Sequence, residues 1–339
     1  DAEGFWTWKA AYEACEAAQV LFLRKYGRAM REKAGSPAAQ LAMLSRIAGL
    51  LPTHTRRTQE SEEFQQFSTP MPLAYVASIA AGVTGDDVVL EPSAGTGMLA
   101  VFAKIMPACV GAQNPNKPRL ALNEIADTRA ALLRRLFPDS LVTTHDAASI
   151  DDRLADDIVP SVVLMNPPFS AALHVQGRVS DADFHHVRSA LARLPEGGRL
   201  VAITGHKFPI DKLNGAVRFT CVVDGSVYYK HGTTFDTRLT VIDKSLETAP
   251  PPVSPRAENA ADLLARVIEH LPPRLEVDGE IGFGTAANPA VARKVAPIAR
   301  RPQPVISAAP DAIELTYEPT EWKPADGPDL TDALWLYGS

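Results

Sequence analysis

From Phe67 to about Lys244 the chain alternates short apolar runs with helix-like stretches, and this alternation constrains the fold more than any other feature. The runs are Asp87–Glu91, Leu120–Glu124, Leu141–Thr144, Val162–Met165, Arg199–Thr204, Val217–Val223 and Leu239–Asp243. Between them Met98–Met106, Ala126–Phe137 and Ser180–Leu194 read as helices, the last with a capping box formed by Ser180 and Asp183. Such alternation predicts an α/β fold: a mostly parallel sheet with helices on both faces.

The flanks read differently. Residues 1–50 predict helices, with Trp8, Tyr12, Cys15, Phe22, Tyr26 and Met30 in one apolar stripe. Ser36-Pro37 is an N-cap followed by a proline at the first helical position, opening a second helix to about Leu51. Residues 52–66 are polar, as linkers are. Half of the 28 prolines fall after residue 245, where "TAPPPVSPR" reads as a linker and Ala260–His270 as a helix. The expected organisation is a helical region over 1–63, the main domain over 64–245, and a Pro-rich linker with a small segment over 246–339.

Hydrophobic residues make up 46% of the chain, enough for a sizeable core. No apolar run approaches the roughly 18 residues of a membrane span, so no membrane partner is expected. Cys15, Cys109 and Cys221 form no CxxC pair, which suits a reducing cytoplasm and points to no metal site. The net charge is −6, with basic clusters only locally: Arg56-Arg57, Arg134-Arg135, Arg300-Arg301 and the stretch from Lys207 to Lys244. This balance permits nucleic-acid contact without arguing for it. The ends, Asp1 and Gly338-Ser339, read as those of a fragment.

"DDVVLEPSAGTGMLAVFAK" places Gly95 and Gly97 between a strand and a helix, where glycines let the backbone turn tightly beside a ligand. The segment from Gly95 to Ala100 also fits the dinucleotide pattern G-x-G-x-x-A, so an NAD enzyme competes at this point. Glu91 at the strand end favours a cationic or amine-bearing ligand over a pyrophosphate, because like charges repel at low dielectric. Glu124 ends the next strand, where a carboxylate can accept both hydroxyls of a ribose. S-adenosylmethionine carries an amine, a sulfonium and a ribose, and no phosphate.

"SVVLMNPPFS" is the second motif. A buried strand runs into Asn166-Pro167-Pro168-Phe169, and the prolines cannot continue a ladder. They freeze the backbone where open parallel sheets bind ligands. The Asn166 side-chain oxygen and the Pro167 carbonyl are acceptors that can converge on one NH₂ group, and Phe169 offers a stacking face. Holding an exocyclic amine this way favours a tetrahedral nitrogen with a localised lone pair, ready to attack a methyl sulfonium.

With these motifs in place the chain resembles the amino-group class of S-adenosylmethionine-dependent methyltransferases, N6-adenine DNA methyltransferases above all. "FSTP" (Phe67–Pro70) is similar to the motif that precedes the glycine turn, "LEPSAGTG" to the cofactor loop, "NEI" to the ribose-binding acid and "HDA" (His145–Ala147) to the adenine-contacting Asp. "NPPF" is similar to the catalytic motif, and His231–Lys244 to the last hairpin of that seven-stranded, Rossmann-like class I fold. The resemblance implies cofactor binding by Phe67, Thr69, Glu91, Pro92, Ser93, Ala94, Gly95, Gly97, Glu124, Ile125, Asp146, Ala147 and Asn166. It implies catalysis by Asn166, Pro167, Pro168 and Phe169, with DNA as partner.

"QQFSTPMPLAYVASIAA", "HGTTFDTRLTVID" and "YEPTEWKP" also resemble the methylase-like amino-terminal region of strawberry-notch-type helicase fusion proteins. That implies a helicase module as partner and a role in DNA processing or anti-restriction. Two other readings stay open: a catalytically weak or inactive methyltransferase-fold module that binds DNA or serves as an assembly platform for a helicase, and methylation of protein glutamine or RNA. His185-His186 read as surface or packing residues, Gly282 and Gly284 as a turn, and Ser170–Val179 as a loop, covering the target or simply connecting. Tyr228 and Tyr229 read as either a second stacking face or packing.

Overall fold

The computed structural model describes residues 8–53, 68–105, 117–168, 171–173, 177–179, 182–231, 234–245 and 256–283. Among the described residues, α1 (Trp8–Ala34), α2 (Pro37–Leu50) and α3 (Met71–Ala81) precede the sheet. Then come β1 (Val88–Glu91), α4 (Met98–Ile105), β2 (Arg119–Asn123), α5 (Asp127–Leu136), β3 (Leu141–Thr143), β4 (Ile158–Val159) and β5 (Val162–Met165). β6 (Ala171–Leu173), β7 (Gly177–Val179), α6 (Ala182–Arg193), β8 (Arg199–Gly205), β9 (Ala216–Val223) and β10 (Thr237–Asp243) follow. α7 (Ala260–His270) and β11 (Gly282–Phe283) end the described chain.

Seven strands form one sheet in the order β3-β2-β1-β5-β8-β10-β9. β10 is antiparallel to both of its neighbours, while the pairings among β3, β2, β1, β5 and β8 are parallel. This is the expected mostly parallel, seven-stranded sheet. The chain leaves β1 towards one edge and returns at β5 to build the other, so β1 and β5 flank the point where the winding reverses. Open α/β sheets place ligands outside the strand carboxyl ends at that point. Glu91 ends β1 and Asn166 follows β5, so the topology alone brings the two motifs together.

Side chains alternate across the sheet as a pleat requires. Val89, Val162, Leu164, Val201 and Ile203 join the core beneath α1 to α5 and α7. Leu90, Val163, Met165, Leu200 and Ala202 face the core under α6. Among the described residues no helix is long and apolar enough to cross a membrane.

The N-terminal helices form as expected, and the Ser36 side chain caps α2 by accepting from the Ala39 N–H. The stripe that α1 buries differs from the aromatic one in the sequence. Glu16, Ala17, Val20, Leu23 and Met30 are buried, whereas Tyr26 is exposed. Small residues let α1 approach α4 closely: a Cβ on Gly27 would lie 2.3 Å from the Ile105 Cδ1. Arg24, Arg28 and Arg31 donate to the carbonyls of Leu136, Lys104 and Ile105, satisfying helix carboxyl ends that lack intrahelical donors.

The boundary expected at 245 falls inside the packing. Ala257 exchanges backbone hydrogen bonds with Val222 and Asp224, and Leu263, Leu264 and Val267 of α7 join the main core. Gly282–Phe283, expected as a turn, pairs as a strand with β4, because Gly282 fits against the Asp157 carbonyl where a Cβ would sit 2.4 Å away. Residues 171–179, expected as a loop, contain the antiparallel pair β6 and β7. Ser180 of the expected capping box lies outside the described residues.

Candidate active site

One cleft opens at the carboxyl ends of β1, β2, β3 and β5. Of the sequence-predicted residues it gathers Thr69, Glu91, Pro92, Ser93, Ala94, Gly95, Glu124, Ile125, Asp146, Ala147, Asn166, Pro167 and Pro168. Phe67 and Phe169 lie outside the described residues. Gly97 does not line the cleft. Its φ is +87°, and a Cβ there would meet Phe137 at 2.4 Å, so it serves the packing of the turn against α5. Gly95, with φ +54°, has open space where its Cβ would be.

The walls are pinned by buried amides and carboxylates. Asn123 ends β2 with its side chain saturated: Nδ2 donates to the Pro92 and His145 carbonyls, each at 2.9 Å. Its Oδ1 accepts from the His145 N–H at 2.7 Å and the Thr143 hydroxyl at 2.8 Å. One amide thus ties the loops after β1 and β3 together. Glu124 accepts from the Gly95 and Ala126 N–H groups at 2.9 Å and from Arg129 at 3.0 Å. A carboxylate has about four acceptor sites, so Glu124 retains capacity for a further donor.

Glu91 differs. It is buried, and its Oε2 has no hydrogen-bond partner among the described residues. Burial pushes its carboxyl well above the ordinary range and the nearby Glu124 adds to this, while the Ala100 N–H at the start of α4 pulls the other way. The cleft therefore holds a desolvated carboxyl group whose Oε2 lacks a donor among the described residues, a position where a cationic donor could sit. Exposed Ile125 supplies an apolar rim, and Asp146 caps the turn after β3 by accepting from the Ala148 N–H.

Across the cleft, Asn166 Nδ2 donates to the Thr69 hydroxyl at 3.0 Å. This contact spans 97 residues and joins the two sequence motifs. It also orients the amide, turning Nδ2 towards Thr69. Tyr228 is fully buried with its phenol facing Asn166, and burial holds that phenol far above its usual range. Burial rules it out as a stacking face, whereas Tyr229 is exposed.

Sequence reading missed several residues of the cleft: Ser68, Thr96, Met98, Asn123, Arg129, His145 and His186. His186 was expected at the surface or in packing. It lines the cleft from α6, and burial lowers its imidazole pKa, with His185 adding to the shift and Asp146 opposing it. The sequence signal was available, since His186 lies on the helix that follows the NPPF segment.

No family model and no curated protein matches this chain. Solved structures do. One is the modification subunit of a candidate type I restriction enzyme from Vibrio vulnificus, at 15% identity and TM-score 0.44, covering 54% of this chain and 45% of that one. Another is a candidate class I S-adenosylmethionine-dependent methyltransferase from Listeria monocytogenes, at 15% identity and TM-score 0.43, covering 67% and 76%. A third is a candidate RNA methyltransferase from Pyrococcus horikoshii, at 16% identity and TM-score 0.43, covering 62% and 98%. The chain spans about half the length of the first.

Proposed function

We propose that the chain is an S-adenosylmethionine-dependent N-methyltransferase whose target is adenine N6 in DNA. The observation that carries the proposal is the Thr69–Asn166 hydrogen bond, which ties the NPPF segment to the segment before the glycine turn, both lining the cleft that holds Glu91 and Glu124. The donor set fits the cofactor. Buried Glu91 suits its ammonium, Glu124 its ribose hydroxyls, and Ile125 with Asp146 and Ala147 its adenine, while the open face of Gly95 leaves room for close approach. The cofactor supplies an electrophilic methyl group on a sulfonium.

The chain's own residues then have a positional task. Asn166 Oδ1 and the Pro167 carbonyl hold the hydrogens of an exocyclic amine and stabilise the positive charge that develops on its nitrogen. Pro167 and Pro168 keep the acceptors fixed, so little reorganisation accompanies reaction. Phe169 is assigned the stacking face. Helicase association and anti-restriction context belong to the same proposal through the resemblance given above.

Calorimetric titration tests it directly: binding of S-adenosylmethionine to the folded protein is expected, and no binding at millimolar ligand overturns it. Labelled cofactor offered with DNA, RNA and protein then tests the target. Label in DNA adenine is expected, and label confined to protein overturns the adenine assignment.

A further inference from the structure

α1 carries a buried carboxylate that the proposed reaction does not use. Glu16 is 6% exposed, and a carboxylate is almost never buried without partners because desolvating it costs several kcal/mol. Its Oε1 accepts from the Ser68 hydroxyl and its Oε2 from the Thr96 hydroxyl at 3.1 Å. Both donors line the cleft. Thr96 sits between Gly95 and Gly97, the two positive-φ residues of the turn, and Ser68 precedes Thr69, which accepts from Asn166. One side chain from outside the sheet thus bonds to the cofactor turn and to the segment that orients the amide.

Docking of α1 does not need this group. Val20, Leu23 and Met30 bury the helix, and Arg24, Arg28 and Arg31 fasten it to the ends of α4 and α5. An apolar residue at position 16 would pack without the desolvation cost. Burial raises the Glu16 carboxyl pKa and the two hydroxyls pull it back, which identifies them as the partners that offset that cost.

We propose that Glu16 is a positioning residue for the cleft: through Thr96 and Ser68 it holds the glycine turn and the Ser68–Pro70 segment in their ligand-ready arrangement. The inference rests on the reading that the cleft binds S-adenosylmethionine. The N-terminal helix is then part of the cofactor site.

The test measures hydrogen exchange at residues 93–97 in the free protein, and binding of both S-adenosylmethionine and its neutral product S-adenosylhomocysteine. Glu16→Ala is expected to raise exchange in the turn, and to weaken both ligands by about tenfold, the scale of a lost buried hydrogen-bond pair. Equal loss for charged and neutral ligand marks a positional role. Glu16→Gln is expected to restore both affinities to within about threefold, since its amide can accept from one hydroxyl and donate to the other. Thr96→Val should reproduce part of the loss, and adding it to Glu16→Ala should change little, because the two share one bond.

Glu16→Ala with unchanged turn exchange and both affinities within about twofold overturns the proposal, whatever its melting temperature, because that is below the effect of one buried bond. Glu16→Gln weakening only the charged ligand also overturns it in favour of a charge effect. If Glu16→Ala does not fold, Thr96→Val decides alone, and wild-type affinity there overturns the proposal. Failure of the wild-type protein to bind either ligand removes the methyltransferase reading, whereas exchange in the free protein still judges Glu16.

Discussion

On the cofactor side of the cleft, at the tips of β1 to β3, the backbone is held by hydrogen bonds from buried side chains. Asn123 makes four hydrogen bonds, Glu124 three, and Glu16 two, each reaching a different loop. On the target side, after β5, Pro167 and Pro168 restrict the backbone through their rings, and a bond to Thr69 helps to set the Asn166 amide. The difference teaches that affinity and stability are entangled on the first side and separable on the second. Substitutions at the two sides should therefore fail in different ways.

The largest effect is expected at Gly97. Gly97→Val places a β-branched residue at φ +87° with its Cβ 2.4 Å from Phe137. Left-handed strain and overpacking together should cost about 3 kcal/mol or more of stability, read by denaturant unfolding. The side chain meets Phe137 and not the cleft, so it does not block cofactor entry. Gly95→Ala should do that instead, weakening cofactor binding with little loss beyond about 1–2 kcal/mol of backbone strain. A Gly97→Val protein as stable as wild type would break the comparison on its first side.

Asn166→Ala comes next and should separate the two quantities. Loss of one acceptor from the transition state should cost about 2–4 kcal/mol, or roughly 30- to 1,000-fold in rate. Cofactor affinity should stay within a few-fold and the melting temperature near that of wild type. Methylation at the parent rate would refute the amine clamp.

A smaller, pH-linked effect is expected from Glu91. Burial raises its carboxyl pKa in the free protein, so the group holds its proton to higher pH than an exposed glutamate. A cationic ligand favours the carboxylate, so binding should release a proton. Affinity should rise with pH until the raised pKa is passed and then level off. Titration in two buffers of different ionisation enthalpy reads the proton count. Proton uptake would contradict the assignment, and Glu91→Gln should abolish the linkage.

The smallest effect is expected for Tyr228→Phe. It removes a buried hydroxyl facing Asn166 and should change stability by about 1 kcal/mol and kcat by a few-fold, with cofactor affinity unchanged. An affinity change larger than the kcat change would move Tyr228 to the cofactor side.

The parts of this comparison that the sequence disclosed are those with local signatures. The strand ends at Glu91 and Met165, the glycines of the turn and the two prolines are each announced by neighbours a few residues away. Topology then makes them adjacent across β1 and β5. Glu16 was illegible because its partners lie 52 and 80 residues downstream, and helical periodicity says nothing of what faces a helix. The aromatic stripe of α1 misled for a related reason: close approach to α4 rewards Gly27, which a hydrophobicity pattern ignores. β11 was missed because a two-residue strand takes its definition from its partner, β4.

At the end of the sheet opposite the cleft, where β8 begins and β10 ends, Arg199 is 2% exposed and pairs with Asp243 at 2.7 Å, while also donating to the Pro272 and Pro273 carbonyls at 3.3 Å. Arg274 in turn donates to Asp87 at 2.7 Å. Residues 256–283 are thus held by buried charge as well as by the apolar face of α7. A chain broken between 245 and 256 should behave as a split protein. The two pieces, expressed separately, should reassemble into the same unit, and the shorter piece would be a dispensable covalent passenger but an indispensable non-covalent one.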